Sequence, residues 1–189
     1  MTNRAMNESL LAGRYAKALL AEALERGEAE RLYPLMKHLG STLRPLSPEM
    51  EVVGNPTIAD RVRELFVVGC VGSEPPELMV RFVKLVFAHR REVYLGEMAR
   101  AYVKLYRKVR GIVLVRITSA VPLDEATRER LAEVVRGHYG GEIEMVCEVK
   151  QELLGGFVLR VDGRVLDASV RSRIDRIRQQ FISKNRSIV

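Results

Sequence analysis

The sequence contains no tryptophan, only two cysteines and three histidines, and its aromatic residues make up 6% of 189 residues. Cys70 and Cys147 have no cysteine or histidine at a ligand spacing, which argues against a zinc site and against a disulfide. His38, His89 and His138 are scattered over different predicted helices, away from any catalytic motif. We therefore expect no metal, no cofactor and no catalytic residue.

Long apolar runs are also absent. No run approaches the roughly 18 residues that a membrane-spanning helix requires, and residues 1–10 lack the apolar centre of a secretory signal. The paired glycines at Gly155 and Gly156 do not have the spacing of a phosphate-binding loop, and no helix begins directly after them. We expect a protein that is not exported and that reaches a membrane only through a partner.

The sequence does have ample apolar and charged material. Hydrophobic residues make up 47% and charged residues 29%, which suits one large or two small globular domains. Lysine and arginine number 31 against 24 acidic residues, a formal net charge of +7. This excess is compatible with nucleic acid or with an acidic protein partner.

Apolar residues recur at helical spacing from residue 7 to residue 110. The first predicted helix ends at Gly27, the second is interrupted or bent near Pro34, and Asn55-Pro56 has the residue types of a helix N-terminus. The third helix should bury Ile58, Val62, Leu65 and Phe66. A fourth should start at Ser73, with Leu78, Phe82, Leu85 and Val86 on one face. A fifth should follow His89.

The period changes at Gly111. Residues 112–118 and 142–149 are rich in strand-forming side chains, and a helix beginning near Asp124 separates them. The predicted fold class is α+β: an N-terminal all-helical bundle of about six helices, followed by a small α/β domain. The predicted domains are residues 1–109 and 110–189.

The segment 146–170 predicts strands, tight turns and a helix start. Gly155-Gly156 allows a close approach of another backbone, Asp162-Gly163 is typical of a tight hairpin, and Asp167 or Ser169 can cap the last helix. That helix has an apolar stripe that should be committed to packing, formed by Val170, Ile174, Ile177 and Phe181.

The last helix is also strongly basic, with Arg173, Arg176 and Arg178 among its residues. A basic RNA- or DNA-binding module is the alternative function that this helix supports, although the interleaved aromatics that stack bases are missing. An uncharacterised enzyme is the third reading and has only the glycine pair in its favour.

Three segments in chain order resemble one family: RYAKAL at 14–19, NPTI at 55–58 and ELLGGFVLRVDGRVLDASVRSRIDRI at 152–177. They are similar to the delta subunit of F-type ATP synthases, called the oligomycin-sensitivity-conferring protein in mitochondria. The third segment is the specific one. Two positions differ from the family pattern: Lys150 replaces an acidic or amide residue, and Asp162-Gly163 reverses the usual order of the hairpin.

The resemblance implies a non-catalytic stator subunit. It would link the alpha-subunit N-terminal helix on the catalytic head to the b subunits of the peripheral stalk, so that the head does not rotate with the rotor during proton-driven ATP synthesis. It also implies a location at the cytoplasmic face of the cell inner membrane, as a peripheral membrane protein. Neither a cofactor nor nucleic acid is expected.

The resemblance further implies a receiving groove between the first and fifth helices. The first helix would contribute Arg14, Tyr15, Ala16 and Ala18, and the fifth would contribute Val93, Met98 and Tyr102 by position. Small residues on a receiving helix let a partner backbone approach. The residues of the C-terminal motif are Leu153, Gly155, Gly156, Asp162, Gly163, Asp167 and Ser169.

Overall fold

A computed structural model describes residues 2–72 and 74–186, and the side chains of residues 8–72 and 74–178. The chain divides into two compact units, Met1–Val109 and Arg110–Val189. The first is helical and the second combines a sheet with helices. The predicted α+β fold class is confirmed.

The first unit consists of α-helices joined by short connections. A single 3-10 turn, Glu92–Tyr94, precedes the last of them. The helices are α1 (Thr2–Glu25), α2 (Ala29–Thr42), α3 (Pro48–Gly54), α4 (Asp60–Val71), α5 (Glu77–Ala88) and α6 (Leu95–Arg110).

Small and large apolar side chains share the core of this bundle. Alanines of α1 lie in it, among them Ala12 and Ala16, and leave room for bulky neighbours. The largest fully buried side chains come from α2, α5 and α6 and include Leu32, Met36, Leu39, Met79, Met98 and Tyr102.

The predicted helix start at Asn55-Pro56 is wrong. Ser47 caps the short helix α3 instead, because its Oγ accepts a hydrogen bond from the Met50 amide (3.2 Å). Asn55 follows the end of α3, and its Oδ1 accepts from the Thr57 amide at 2.9 Å, which is a local turn. Because α3 was missed, the stretch predicted as the fifth helix is α6.

Other details of the bundle differ too. α2 is not interrupted at Pro34, which lies inside the helix. The start predicted at Ser73 lies outside the described residues, and α5 begins at Glu77. On α4 the predicted apolar face is wrong, since Val62 and Leu65 are exposed. The buried residues of that helix are Arg63, Val67 and Val71.

The second unit is built on a four-stranded sheet with the order β2-β1-β3-β4. β1 and β2 are parallel, which requires the intervening helix as a crossover, and the other neighbouring strands are antiparallel. Its elements are β1 (Ile112–Ser119), α7 (Glu125–Tyr139), β2 (Glu142–Val149), a 3-10 turn (Gln151–Leu153), β3 (Phe157–Val161), β4 (Arg164–Asp167) and α8 (Val170–Arg186).

One face of this sheet forms the core of the unit. Val115 and Ile117 of β1 and Val161 of β3 point to the same face, as the two-residue period of strands requires, and they pack with Val135 of α7. The packing therefore fixes α7 over one side of the sheet.

Candidate partner-binding surfaces

Among the described residues, no three His, Cys, Asp or Glu side chains are grouped so that they could hold a metal ion. Cys70 and Cys147 are free and half-buried, and burial raises the pKa of the Cys70 thiol, with a smaller contribution from Glu49. Within residues 2–72 and 74–186, no helix combines the length and the apolar character needed to span a membrane.

Tyr15 on α1 is held in place by two neighbours. Arg91, just before the 3-10 turn, donates a hydrogen bond from Nη1 to the Tyr15 hydroxyl at 2.8 Å, and its guanidinium carbon lies 5.4 Å from the centre of the tyrosine ring. Phe82 of α5 meets the same ring edge to face, with 6.5 Å between centroids. These contacts make α1 and α5 neighbours at this point.

The solvent side of that contact is formed by small and apolar residues. Ala18 comes three residues after Tyr15 and Leu85 three residues after Phe82, so each lies about 60° further around its helix. Ala18 is exposed and Leu85 is 49% exposed. We call Leu11, Tyr15, Ala18, Phe82 and Leu85 the α1–α5 surface.

The structure separates the predicted groove residues into two groups. Arg14 and Ala18 are exposed and Tyr15 is half-buried, but Ala16 is fully buried and belongs to the core. The segment RYAKAL on α1 therefore contributes both buried and exposed residues.

The residues predicted for the second wall lie on or next to α6. Val93 is 48% exposed, but Met98 and Tyr102 are fully buried, and the Tyr102 hydroxyl donates to the Ala29 carbonyl oxygen at 3.3 Å. Burial raises the Tyr102 pKa. The structure corrects the prediction that these two side chains line a receiving surface, because both are core residues. Leu85, which was predicted to be a buried member of its apolar stripe, is exposed instead.

The glycine pair lets two backbone segments touch. The Gly155 carbonyl accepts from the Val170 amide at 3.0 Å, and Phe157 accepts in the same way from Ala168. Gly156 has a φ of +74°, and a Cβ there would lie 2.3 Å from the Ala168 carbonyl oxygen. These backbone hydrogen bonds join the loop that follows the half-buried Leu153 to the start of α8.

The Asp162-Gly163 turn has positive φ at both residues, 45° and 81°. This matches the type I′ turn that suits twisted strands, and it joins β3 to β4 where Val161 pairs with Arg164. The order of the two residues is compatible with the turn, because aspartate tolerates the left-handed region better than most residues.

Asp167 and Ser169 together organise the first turn of α8. The Asp167 carboxylate accepts from the Ser169 amide at 2.9 Å and from the Ser172 hydroxyl at 2.6 Å. Ser169 Oγ accepts from the Ser172 amide at 3.2 Å, which is the capping bond itself. The hydrogen bond from Ser172 is the main reason that the pKa of Asp167 falls from 3.8 to about 2.

Asp167→Asn is expected to remove part of the acid sensitivity of the second unit. The folded-state pKa of Asp167 lies below its unfolded value, so its contribution to stability is present above pH 3.8 and is lost as pH falls towards 2. Asparagine can accept the same backbone bond but does not titrate there. Urea unfolding of both proteins between pH 5 and pH 2 should give a shallower decline for the variant, and identical declines would contradict the assignment.

The apolar stripe of α8 is not packed in the way that its sequence predicts. Ile174 is 48% and Ile177 is 53% exposed, Val170 is also exposed, and the side chain of Phe181 lies outside the described residues. Arginines share this helix, so α8 presents both apolar and basic groups to solvent. The exposed arginines described there are Arg171, Arg173, Arg176 and Arg178.

The sequence is similar to known proteins over almost its entire length. A sequence profile described as ATP synthase delta (OSCP) subunit matches residues 11–181. A Bacteroides fragilis protein named ATP synthase subunit delta is 37% identical over 188 residues, covering 97% of this chain and 100% of the relative. A protein of the same name from Synechococcus elongatus is 33% identical, covering 86% of this chain and 91% of the relative.

A solved structure has the same fold. A chain in the cryo-EM structure of the Toxoplasma gondii mitochondrial ATP synthase hexamer superposes with a TM-score of 0.67, covering 91% of this chain and 97% of that chain. The two sequences are 20% identical. The likeness therefore concerns the arrangement of helices and strands and not individual binding residues.

Proposed function

The chain belongs to the ATP synthase delta (OSCP) subunit family, and on that premise we propose that it is a non-catalytic stator subunit of an F-type ATP synthase. It would link the alpha-subunit N-terminal helix on the catalytic head to the b subunits of the peripheral stalk. Held in this way, the head would not turn with the rotor. The complex is membrane-associated, and we propose that this subunit lies at its cytoplasmic face.

The α1–α5 surface is the observation that carries the head-binding part of the proposal. Tyr15 and Phe82 form an apolar floor, and Arg91 fixes the tyrosine ring from one side. Ala18 has no side chain that would keep an incoming helix away, and Leu85 offers an exposed apolar contact. Helix-in-groove recognition needs apolar contacts, here Leu85, beside a small residue, here Ala18, over which the partner backbone can approach.

We propose α8 as the part that meets the peripheral stalk. Its exposed isoleucines, Ile174 and Ile177, offer apolar contact area, and the arginines around them can pair with carboxylates. The cap at Asp167 and Ser169 and the bond from Val170 to Gly155 fix the first turn of this helix. A stator joint needs slow dissociation, and a preorganised helix lowers the cost of binding.

Ala18→Glu is expected to weaken binding of a synthetic alpha-subunit N-terminal peptide by at least about tenfold. The larger, charged side chain would stand where the partner backbone must approach. Ala18 is exposed, so the fold should be retained. Fluorescence anisotropy with a labelled peptide and the full-length chain provides the measurement.

The matched control is Ala21→Glu. Ala21 is also exposed on α1, but it lies about 60° further around the helix, away from Tyr15. The control should bind the peptide nearly as well as the unsubstituted chain. Equal weakening by both variants would point to helix charge instead of the α1–α5 surface.

The nucleic-acid alternative makes a different prediction for the same preparation. Binding of RNA or DNA by α8 would fall steeply with salt and would require Arg173, Arg176 and Arg178. Peptide binding that tolerates salt, together with nucleic-acid binding no stronger than that of an unrelated basic protein, would favour the stator function.

A further inference from the structure

The strand β2 forms one edge of the sheet in the second unit. In the order β2-β1-β3-β4, its one paired neighbour among the described residues is β1. The amide of Lys150, directly after β2, donates to the Ser119 carbonyl oxygen of β1 at 2.7 Å. Because the backbone groups of successive strand residues point to opposite edges, those of Ile143, Met145 and Cys147 point away from β1. Such an edge is a template for pairing with another extended segment.

A groove lies beside this edge, between β2 and α7. Met145 and Cys147 are half-buried and lie on the side of the sheet that packs against the core. With four residues of α7 they line an open cavity of about 410 Å³, which we call the α7 groove. Those four residues are spaced at i, i+3, i+4 and i+7 and so share one face of the helix: Glu125, Arg128, Glu129 and Ala132. Strand addition uses an exposed edge together with pockets for alternate side chains, and β2 offers both.

One residue that lines the α7 groove has a buried donor without an acceptor. Arg128 Nε is buried and has no hydrogen-bond partner among the described residues, and Arg128 Nη1 lies 3.5 Å from Glu125 Oε2. Buried donors in proteins are normally satisfied. A carbonyl oxygen of a peptide seated in the groove is the kind of acceptor that this donor lacks.

The edge is acidic although the chain as a whole has a net charge of +7. The carboxylates around it outnumber the cations: Glu125, Glu129, Glu142, Glu144 and Glu148 against Arg116, Arg128 and Lys150. This balance favours a basic segment over an acidic one. It disfavours a second copy of the chain, because antiparallel pairing of two β2 strands about Val146 would place Glu144 opposite Glu148.

We infer that the β2 edge binds an extended segment of another protein, which adds a fifth strand to the sheet. Alternate side chains of the segment are apolar and enter the α7 groove, and lysine or arginine residues lie between them, on the side of Glu144 and Glu148. Its backbone pairs with Met145 and Cys147. This binding goes beyond the contacts proposed for α1 and α8. A helix cannot provide it, since the backbone groups of a helix are already bonded within the helix.

Binding of a synthetic peptide to the full-length chain tests the inference. The probe is a seven-residue peptide of alternating valine and lysine, blocked at both ends, and amide hydrogen exchange is followed by NMR. We expect saturating peptide to slow exchange of the Met145 and Cys147 amides by at least about tenfold. The Val146 amide, which points to β1, should be unchanged. An absence of saturable binding, or protection confined to other elements, would overturn the inference.

Two N-methylated forms of the peptide test the backbone pairing. One carries methyl groups on the valine nitrogens and the other on the lysine nitrogens, so each form loses the donors along one edge of the peptide strand. Only one of these edges can face β2. We expect one form to bind at least about tenfold more weakly than the other, and equal affinities would rule out strand addition.

Ala132→Trp tests the position of the peptide. Ala132 is half-buried in the α7 groove, and a tryptophan there would fill the space that the valine side chains need. We expect at least about tenfold weaker binding. The matched control is Val134→Trp, because Val134 is 69% exposed and lies about 200° further around α7. It should bind the peptide as the unsubstituted chain does, and equal affinities of the two variants would place the peptide elsewhere and overturn the inference.

Two further measurements separate the other occupants. The same peptide with glutamate in place of lysine should bind at least about tenfold more weakly, and equal or tighter binding would contradict a basic partner. Sedimentation of the free chain should show no dimer that the lysine peptide dissociates, since such a dimer would make a second copy the occupant. Failure of any of these tests leaves the stator proposal in place, because that proposal is tested by the alpha-subunit peptide at the α1–α5 surface.

Discussion

Gly156→Ala is expected to lower the free energy of unfolding of the second unit by about 3 kcal/mol or more. Gly156 has a φ of +74°, which disfavours any residue with a Cβ. The added methyl group would also lie 2.3 Å from the Ala168 carbonyl oxygen and 3.2 Å from the Ser169 Cα. Because both neighbours are backbone, a side-chain rotation cannot relieve the overlap.

Gly163→Ala separates the two contributions. Gly163 also has a positive φ, +81°, but a Cβ there would have no atom within 4 Å. Gly163→Ala should therefore lower the free energy of unfolding only by the cost of the left-handed backbone conformation, about 1 kcal/mol. Urea unfolding of the full-length variants, with hydrogen exchange of peptides from β1 to β4 to assign the loss to this unit, gives both values. Equal losses would mean that the close approach at Gly156 contributes nothing.

The same substitution should affect assembly through α8. Ala168 and Ser169 would have to move, and Ser169 supplies the capping bond to Ser172. Displacing the cap changes where the first turn of α8 and its exposed residues lie. We therefore expect Gly156→Ala to weaken attachment to the proposed stalk partner while peptide binding at the α1–α5 surface is retained, since that surface lies in the other unit.

The turns and the helix cap of the second unit could be predicted from sequence because their signals are local, whereas the exposure of the α8 stripe could not. Asp162-Gly163 defines a turn within two residues, and the capping residues Asp167 and Ser169 act within one helical turn. The glycine pair Gly155-Gly156 could be predicted only in part. The sequence indicates that a backbone comes close there, but only the fold identifies it as the segment that begins α8.

The helical bundle was harder to predict because its decisive contacts join residues far apart in sequence. α3 is seven residues long, too short for an apolar period to be visible, and omitting it shifted the helix count. The receiving surface was consequently assigned to Met98 and Tyr102, which are core residues. The contact of Tyr15 with Phe82, which sequence cannot show, identifies α5 as the neighbour of α1.

The orientation of α4 depends on one buried arginine. Arg63 is 4% exposed, and its Nη1 donates to the Val53 carbonyl oxygen at 2.7 Å and to Glu92 Oε1 at 2.9 Å. Its Nε donates to the Ile58 carbonyl oxygen at 3.1 Å, and Asp60 pairs with Nη2. A planar guanidinium can serve these acceptors together, so the helix turns Arg63 inward and leaves Val62 and Leu65 outside, against the apolar pattern.

Arg63→Met is accordingly expected to lower the free energy of unfolding of the bundle by about 3–5 kcal/mol. Removing the cation leaves the Glu92 carboxylate largely buried without its charge partner, and two backbone carbonyls lose a donor. Urea unfolding followed by far-UV circular dichroism measures the loss. Arg61→Met on the exposed side of α4 is the control and should change stability by no more than about 0.5 kcal/mol.

A double variant identifies the cause. Glu92→Leu added to Arg63→Met removes the unpaired carboxylate and should recover about 2 kcal/mol, but not all of the loss, because the Val53 and Ile58 carbonyls stay without their donor. No recovery would show that the carbonyl contacts, and not the ion pair, account for the loss.

The effect should extend to the α1–α5 surface. Glu92 follows Arg91 directly, and Arg91 is the residue that holds the Tyr15 ring. Without the bond from Arg63 to Glu92, the 3-10 turn loses its tie to α4, and Arg91 is positioned less firmly on Tyr15. Arg63→Met should therefore weaken alpha-peptide binding, although Arg63 is not part of the α1–α5 surface. Arg61→Met should leave the affinity unchanged. Unchanged affinity in both variants would show that Arg63 does not influence the binding surface.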